Sequence, residues 1–512
     1  MKIIINAVYS TVEGPIHQDL KTTLSYFMPG YRYSDKYKGL CTTDRKCQHK
    51  STCCSFKTQC KDKKFTRKGK RKLILCNSGS SCKSQVRKCD SYDYCQYRKR
   101  LWDGRVYLLN KNVFPTGLLS KVEKFCKDKK IKYEIEDNRV FKKGTPYKLS
   151  DDFKAWEHQN TALKVCLEKK NGILSIATSG GKTNIAAMII ADLGLPTIFL
   201  THLTGLLYQS QKRLESLLGC EVGIVGDSVF DPRKITVASI QTIDRHVTNG
   251  KDLSWLNDYK VMICDEVHHL SSTSWTTVCK SIDAPWRFGL SGTISLEGNG
   301  MLLEAYTGPI LNTINLEYLA ENNLVSPFSV KIININKPTV NKIKYPDVYD
   351  MGIVNNKDRN KIICSFAKLY SQKGNPVLIL FRFIKHGILL CEMLKEMGLD
   401  YRFVYQKTSS EERIKVKEEV ENGECKILVA SSIFDEGENL PSVSALILAG
   451  GEKGGVEGRR LLQRIGRVLR LAEGKDSATI IDFYDDTHRY LKDHSDQRIQ
   501  VYKDNNIKHR FL

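Results

Sequence analysis

Residues 179–183, "SGGKT", have the side-chain types and spacing that suit binding of a nucleoside triphosphate. A turn of small residues between a strand and a helix lets backbone N–H groups converge on phosphate oxygens. Lys182 would reach the β- and γ-phosphates, and the Thr183 hydroxyl would hold Mg²⁺. The strict pattern G-x-x-x-x-G-K-[ST] fails, because Ile176 stands where its first glycine belongs. A glycine-rich turn without a ligand is the alternative.

A second pair of candidate residues, Asp265 and Glu266, follows the apolar run "VMIC". This run predicts a buried strand whose carboxyl end delivers both acids to the edge where ligands bind in open α/β sheets. Asp265 suits Mg²⁺, and Glu266 suits orienting and deprotonating the water that attacks a γ-phosphate. Two acids followed by His268 also fit a solvated turn. Their position at a strand end, 83 residues after Lys182, favours the catalytic interpretation.

The segment "EGRRLLQRIGRVLR" places several arginines at helical spacing. Guanidinium groups form paired hydrogen bonds with phosphate oxygens, so these arginines are candidates for a contact with the same nucleotide. A basic helix face that lies on nucleic acid is the alternative.

The elements that must position these residues are two series of short apolar runs separated by helical patterns. Such runs predict parallel strands that are buried on both faces. Two series in tandem predict an α/β protein with two doubly wound domains, residues 148–325 and 326–490, and then a basic tail, residues 491–512. Residues 1–147 alternate strand-like and helical runs, which predicts a small α+β domain that ends in a linker.

The chain of 512 residues carries 80 Lys and Arg against 57 Asp and Glu, a formal net charge of +23. This excess favours nucleic acid as a partner, because cations replace the counterions condensed on phosphates. A generally charged surface is the alternative. No apolar run approaches the ~20 residues that a membrane helix needs, and the start does not resemble a signal peptide. We therefore expect a soluble, cytoplasmic protein.

The positive charge is concentrated in residues 41–100, which hold 18 Lys or Arg against four Asp or Glu, and nine of the 17 cysteines. Without a secretory signal, such a cluster points to metal rather than disulfides. Two four-thiolate sets would suit up to two Zn²⁺ ions, while an iron–sulfur cluster and free or disulfide-forming thiols stay open. The basic residues and tyrosines suit a phosphate-binding module with some base stacking. The nine are Cys41, Cys47, Cys53, Cys54, Cys60, Cys76, Cys82, Cys89 and Cys95.

The segments "ATSGGKT", "DEVH", "SGT" and "QRIGRVLR" occur in the order found in the superfamily 2 helicases, which the chain resembles over about residues 148–490. The resemblance implies two RecA-like domains that hydrolyse ATP in the cleft between them, with a phosphate loop that often lacks the first glycine. It implies that Thr183 and Asp265 hold Mg²⁺ and that Arg467 and Arg470 cross the cleft to the γ-phosphate. Further residues implied to bind or hydrolyse ATP are Gln159, Thr178, Ser179, Gly180, Gly181, Lys182, Glu266, Gly437, Asn439 and Gln463.

The same resemblance assigns functions outside the phosphate site. Gln159 corresponds to the glutamine that faces adenine, although His158 replaces the usual aromatic residue before it. Ser291 and Thr293 correspond to the motif that links hydrolysis to movement between the domains. Candidate nucleic-acid contacts are Thr201, Gln241, Thr242, Arg382 and Lys385.

The segments "YRYSDKYKG" and "LWDGRVYLLNKNVFPTGLLSKVEKF" are similar to the N-terminal domain of the phage UvsW-type recombination helicases. That domain helps to engage branched DNA, so Arg105 is a further candidate contact, and the cysteine-rich residues 41–95 are an insertion in it. The resemblance implies an ATP-dependent DNA helicase or translocase that performs fork regression and Holliday junction branch migration. Replication, recombination and repair in the host cytoplasm of a phage are the expected setting, with recombination or replication proteins as candidate partners.

Two other interpretations stay open. The same motor would also fit an RNA helicase, or a duplex translocase that separates no strands. A protein of another class, a zinc-dependent nucleic-acid-binding protein without hydrolysis, would share the basic composition and the cysteine cluster.

Overall fold

The fold is described from a computed structural model. The structure describes residues 1–27, 66–67, 70–71, 105–292, 294, 298–431, 440–453 and 456–512. All nine clustered cysteines lie outside these ranges. Within the described ranges, every helix is too short or too polar to cross a membrane.

The N-terminal domain contains a four-stranded sheet in the order β7-β2-β1-β8. Ile3 and Val12 on its strands share one core with Val122 and Phe125 of helix α2. Lys121 of the same helix forms an ion pair of 2.9 Å with a glutamate of the next domain. The elements are β1 (Lys2–Ile5), β2 (Tyr9–Glu13), α1 (Gln18–Thr23), β3 (Ser25–Phe27), β4 (Thr66–Arg67), β5 (Lys70–Arg71), β6 (Arg105–Tyr107), β7 (Val113–Pro115), α2 (Leu119–Asp128) and β8 (Glu134–Asp137).

The first large domain is built on an eight-stranded sheet in the order β12-β11-β13-β10-β14-β15-β9-β16, in which β12 pairs antiparallel and the other neighbours pair parallel. Phe199 lies in the core on one face of the sheet, and Ile198 and Leu200 lie in the core on the other. This burial on both faces explains why the strands have continuous apolar runs.

The strands of this domain are β9 (Asn171–Ile176), β10 (Thr197–Thr201), β11 (Gly223–Gly226), β12 (Val229–Asp231), β13 (Ile235–Ser239), β14 (Val261–Cys264), β15 (Trp286–Ser291) and β16 (Ile310–Ile314). The helices are α3 (Glu157–Lys169), α4 (Lys182–Leu193), α5 (Thr204–Leu218), α6 (Ile240–Thr248), α7 (Thr273–Ser281), α8 (Met301–Thr307) and α9 (Leu316–Glu321).

The second large domain is a parallel seven-stranded sheet in the order β19-β20-β18-β21-β22-β17-β23. Its strands are β17 (Phe328–Ile335), β18 (Val377–Phe381), β19 (Arg402–Val404), β20 (Ile427–Ser431), β21 (Ala445–Leu448), β22 (Ala478–Asp485) and β23 (His509–Phe511). Its helices are α10 (Tyr345–Tyr349), α11 (Lys357–Gln372), α12 (Ile384–Glu396), α13 (Ser410–Glu421), α14 (Val456–Val468) and α15 (Arg489–Asp504).

Two tandem doubly wound parallel-sheet domains were predicted, and this prediction is confirmed. Residues 491–512 differ from the expectation of a separate tail. They complete helix α15 and form strand β23, which pairs with β17 from Val330 opposite His509 to Ile332 opposite Phe511. The second domain therefore extends through these residues.

Candidate nucleotide site between the two large domains

The phosphate loop joins β9, which lies between β15 and β16 in the first sheet, to α4. Ile176, the residue in place of the usual first glycine, is the last residue of β9 and is fully buried in the core. Lys182 is the first residue of α4, so the amino end of this helix faces the loop. Gly181 has a φ of +79°, and a Cβ there would lie 2.2 Å from Nε2 of Gln159. Only glycine fits this position without strain.

The acidic pair meets the loop because β14, β15 and β9 are consecutive parallel strands of the sheet, so all three end at one edge. Lys182 Nζ forms an ion pair with Glu266 Oε1 at a distance of 2.8 Å. Asp265 follows the last residue of β14 and is buried. The loop, the lysine and both acids thus form one group.

Charge and burial act differently on the two acids. Burial raises the pKa of Asp265, and the neighbouring charge of Glu266 raises it further. Burial also opposes the charged form of Glu266, but Lys182 and His268 outweigh it and hold the pKa of this carboxyl well below its ordinary value. Glu266 is therefore a carboxylate that contacts a cation, whereas Asp265 is a carboxyl in need of one.

A hydrogen-bonded chain leads from Glu266 to the end of β15. The His268 ring nitrogen Nδ1 lies 3.2 Å from Glu266 Oε2 and 2.9 Å from Ser291 Oγ. Ser291 in turn donates to Glu266 at 3.4 Å. Thr293, the other residue assigned to this motif, lies outside the described residues. In the described part, Glu266 is thus joined by hydrogen bonds to Ser291 at the end of β15, which the family resemblance links to movement between the domains.

The second domain contacts the same site through α14. Gln463 and Arg467 lie on α14, and Arg470 follows two residues after its end. The apolar residues beside them, Leu462, Ile465 and Leu469, are buried. This alternation turns one polar stripe towards the first domain. The polar stripe can contact the phosphate loop because the apolar face of the helix packs in the core of the second domain.

At this site, hydrogen bonds of the described residues cross between the domains. Ser179 Oγ donates to the Gly466 carbonyl at 2.7 Å, and Arg470 Nε donates to Ser179 Oγ at 3.3 Å. Gln463 Nε2 lies 3.4 Å from Glu266 Oε2. A Cβ on Gly466 would lie 2.6 Å from Cβ of Thr178, so the glycine permits this close approach.

A cleft of about 770 Å³ lies between the domains. The loop and the acids form one wall, and Gln463, Arg467 and Arg470 form the other. Lys182 and Arg467 therefore face a common space of the size that small ligands occupy. Arg464, from the same helix, points away and pairs with Glu452 of its own domain.

Gln159, which is expected to face adenine, and His158 before it lie against the phosphate loop, and the adenine contact stays a prediction. Both are buried, and both contact the Gly180 carbonyl, His158 Nε2 at 2.9 Å and Gln159 Nε2 at 3.4 Å. In this conformation they brace the phosphate loop. The aromatic side chain that borders the cleft is Trp156, which sequence reasoning missed although it begins the same "WEHQ" segment. Arg213, also missed, lines the cleft from α5.

The candidate nucleic-acid contacts are distributed over all three domains. Thr201 is fully buried in this conformation. Gln241 is exposed and Thr242 half-buried at the amino end of α6. Lys385 pairs with Asp350 at 3.0 Å, and the Arg105 guanidinium donates to Ser25 Oγ at 3.1 Å.

Arg382 stacks near two aromatic rings, with its guanidinium 5.7 Å from the Tyr349 centroid and 5.5 Å from the Phe383 centroid. Gly437 and Asn439, expected near the nucleotide and the strand, lie outside the described residues. These placements do not test the assigned roles.

The structure does not support the zinc prediction. The nine clustered cysteines lie outside the described residues, and the described part contains no group of His, Cys, Asp or Glu suited to a metal ion. Seven of the eight remaining cysteines are buried and none forms a disulfide, as expected of small apolar residues.

Two family profiles match the large domains. Residues 152–296 match the profile described as "Type III restriction enzyme, res subunit", and residues 358–472 match the "Helicase conserved C-terminal domain". The chain belongs to the superfamily 2 helicases and is an ATP-hydrolysing enzyme of that class.

Curated relatives cover most of the chain. It is 26% identical over 461 residues to the ATP-dependent DNA helicase uvsW of Enterobacteria phage T4, which is 80% of this chain and 90% of that protein. It is 25% identical over 388 residues to the DNA 3'-5' translocase XPB2 of Sulfurisphaera tokodaii, 68% of this chain and 85% of the relative. The solved ATP-dependent Type ISP restriction-modification enzyme LlaBIII bound to DNA shares the fold, with a TM-score of 0.54, 14% identity, and coverage of 77% of this chain and 34% of that one.

Proposed function

We propose that the protein uses ATP hydrolysis to move on DNA and to remodel branched DNA, by fork regression and Holliday junction branch migration in phage replication, recombination and repair. The single observation that carries the motor is the two-sided cleft, in which Lys182 and Glu266 of one domain face Arg467 and Arg470 of the other. The DNA substrate is supported by the net charge of +23 and by the names of the uvsW and XPB2 relatives. The branched substrate rests on the likeness to uvsW.

The residues present fit ATP with Mg²⁺. The buried carboxyl of Asp265 needs a cation, the Thr183 hydroxyl borders the same cleft, and the amino end of α4 faces the loop. Bound Mg²⁺ would neutralise phosphate charge. Lys182 and the loop amides would bind the phosphate oxygens.

Glu266 would change its basicity as Lys182 moves. While Lys182 lies 2.8 Å away, it holds the pKa of Glu266 low, which makes the carboxylate a weak base. When Lys182 turns to a phosphate, Glu266 loses this partner and its pKa rises towards that of a useful base. Substrate binding would thereby switch on the residue that activates water.

The second domain would close the cycle. Arg467 and Arg470 can stabilise charge on the γ-phosphate only while the domains are together, which makes closure depend on the nucleotide. Release of the products after hydrolysis lets the domains separate. Each cycle would therefore move the DNA-binding surface of one domain relative to that of the other.

The motor is tested by DNA-stimulated ATP hydrolysis of Glu266→Gln, which keeps the shape of the side chain and removes its charge. We expect hydrolysis to fall by at least about 100-fold with ATP binding retained. Glu396→Gln, at an exposed position of α12, is the matched control and should behave as the wild type. Normal turnover by Glu266→Gln would contradict the assignment of the base.

The substrate is tested separately with the wild-type protein. Forks, Holliday junctions and RNA duplexes are compared with and without ATP, and remodelling of branched DNA in preference to RNA is expected. ATP-dependent activity on RNA duplexes alone would replace the DNA assignment. Hydrolysis without any strand rearrangement would indicate a duplex translocase.

A further inference from the structure

A groove of about 620 Å³ lies on the first large domain, away from the nucleotide cleft. It is formed between the β11–β12 hairpin and helix α6. Phe230 on β12 borders this groove and is 55% exposed, and Val229 beside it is 41% exposed. Because burial of a phenylalanine ring is favourable, a half-exposed phenylalanine in a groove indicates a surface that can bind a ligand.

Phe230 is held in place rather than mobile on a loose loop. Asp227 and Ser228 form a two-residue turn with φ of +50° and +65°, the geometry that matches the twist of a hairpin. The Tyr208 hydroxyl fixes the turn by donating to Asp227 Oδ2 at 3.1 Å. The Phe230 ring lies 5.5 Å from the Trp255 ring in an edge-to-face arrangement. One face of a preorganised aromatic ring therefore stays available.

The wall of the groove opposite Phe230 is cationic. Arg245 and Lys251 line it, and neither forms an ion pair with any residue in the part of the chain that the structure describes. Asp252, the acid of the groove, is already engaged, since it accepts from the backbone N–H and the hydroxyl of Ser254 at 2.9 and 2.8 Å. The groove thus offers two available positive charges beside an aromatic surface.

His246 adds a second aromatic ring to the groove. Its centroid lies 6.0 Å from that of Phe230. Burial lowers the pKa of His246, and the neighbouring Lys251 and Arg245 lower it further, which disfavours the charged form of the ring. The groove therefore combines two aromatic rings with two basic side chains.

The groove is continuous with the candidate phosphate contacts on α6. Thr242, Arg245 and His246 lie at positions i, i+3 and i+4 of this helix and line the same groove. Gln241 and Thr242 are two of the candidate nucleic-acid contacts that the family resemblance implies. A strand that passes them reaches the groove without leaving this helix.

We propose that the groove binds an unpaired base of single-stranded DNA, which stacks on Phe230 while Arg245 and Lys251 contact the flanking phosphates. This inference rests on the proposed function and adds a base contact to it. Single strands suit the groove because only an unpaired base presents a free ring face, and any base can stack. The site would hold one strand apart from its complement next to the motor.

The experiment measures binding of the full-length protein to a labelled oligothymidylate and to an abasic oligomer of the same length. Phe230→Ala should weaken binding of oligothymidylate about tenfold and leave binding of the abasic oligomer unchanged. Phe230→Tyr keeps the ring and should restore affinity. Phe511→Ala is the matched control, because Phe511 is also on an edge strand and 49% exposed.

The cations have a separate signature. Replacing Arg245 and Lys251 by alanine should lower the slope of log affinity against log salt by about 0.7 for each lost phosphate contact, on both oligomers. Phe230→Ala should leave this slope unchanged.

Equal binding of oligothymidylate by wild type and Phe230→Ala overturns the inference, as does an equal loss on both oligomers. If DNA fails to stimulate ATP hydrolysis by the wild type, the proposed function itself falls. That result is distinct from a motor that responds to DNA but does not depend on Phe230.

Discussion

Arg467 faces Lys182 across the cleft from another domain, which makes its guanidinium the most direct test of the two-sided site. Arg467→Lys keeps the charge but loses the planar pair of donors that fits phosphate oxygens. We expect kcat for ATP to fall at least about 100-fold, while KM changes little. Steady-state hydrolysis checks this, with the exposed Arg489→Lys as the control. Unchanged kcat would remove Arg467 from the reaction.

His386 links the stability of the second domain to pH. It is fully buried, its Nε2 contacts Asn360 at 2.9 Å, and burial, with Arg359 nearby, lowers its pKa from 6.5 to about 3. In the unfolded chain His386 binds a proton below about pH 6.5, whereas in the folded chain it binds one only below about pH 3. Stability is therefore full above this window and is lost as the pH falls through it, by about 1.4 kcal/mol per pH unit.

Urea unfolding at about pH 7.5 and about pH 5.5 measures this dependence. His386→Gln should be less stable at the higher pH and should lose about 1 kcal/mol less than the wild type on acidification. His494, whose pKa is lowered to about 4 chiefly by burial, adds a further loss in the same direction in both proteins. The exposed His17→Gln should keep the wild-type dependence, and an identical dependence in His386→Gln would contradict the assignment.

The phosphate loop shows at the level of elements how one backbone conformation supports a site. Gly181→Ala would force a side chain into a positive φ and against Gln159, at a cost of about 1–2 kcal/mol. The loop would relieve this strain by shifting, so we expect ATP affinity to fall about tenfold or more. Titration with a fluorescent ATP analogue measures it.

Gly219 provides the control for this strain. It follows α5 with a φ of +61°, and a Cβ there would meet nothing within 4 Å. Gly219→Ala should therefore lower stability by about 1 kcal/mol and leave ATP affinity unchanged. Equal ATP affinity in both variants would show that the loop tolerates the substitution.

Elements with a strong local pattern could be predicted from the sequence. The central strands β10, β14 and β18 are continuous apolar runs because both faces are buried, and "SGGKT" marks a loop without help from the rest of the chain. Strand β23 could not be predicted, since it is a short polar edge defined by its pairing with β17. The Ser179–Gly466 contact joins residues 287 positions apart, so only the fold reveals it. The position of Gln159 depends likewise on the packing of α3 under the loop.

On the scale of the whole molecule, the cysteine-rich insertion falls in the chain between two paired strands of the N-terminal domain, β3 and β6. Phe27 pairs with Arg105 across β3 and β6, so the chain leaves and returns at adjacent points. Deleting residues 41–95 should weaken DNA binding and flatten its salt dependence, because this block carries much of the positive charge. Affinity measured over a salt series checks this, with DNA-free ATP hydrolysis as the control. An unchanged slope would mean that the block does not touch DNA.

The pairing of Phe27 with Arg105 also affects how such proteins diversify. A segment that departs and re-enters beside itself can be gained, exchanged or discarded in a lineage while the strands on either side keep their register. The sequence between β3 and β6 can therefore vary independently of the two domains that form the ATP site. A peptide grafted between these two strands would test new binding specificities without a change in the ATP site.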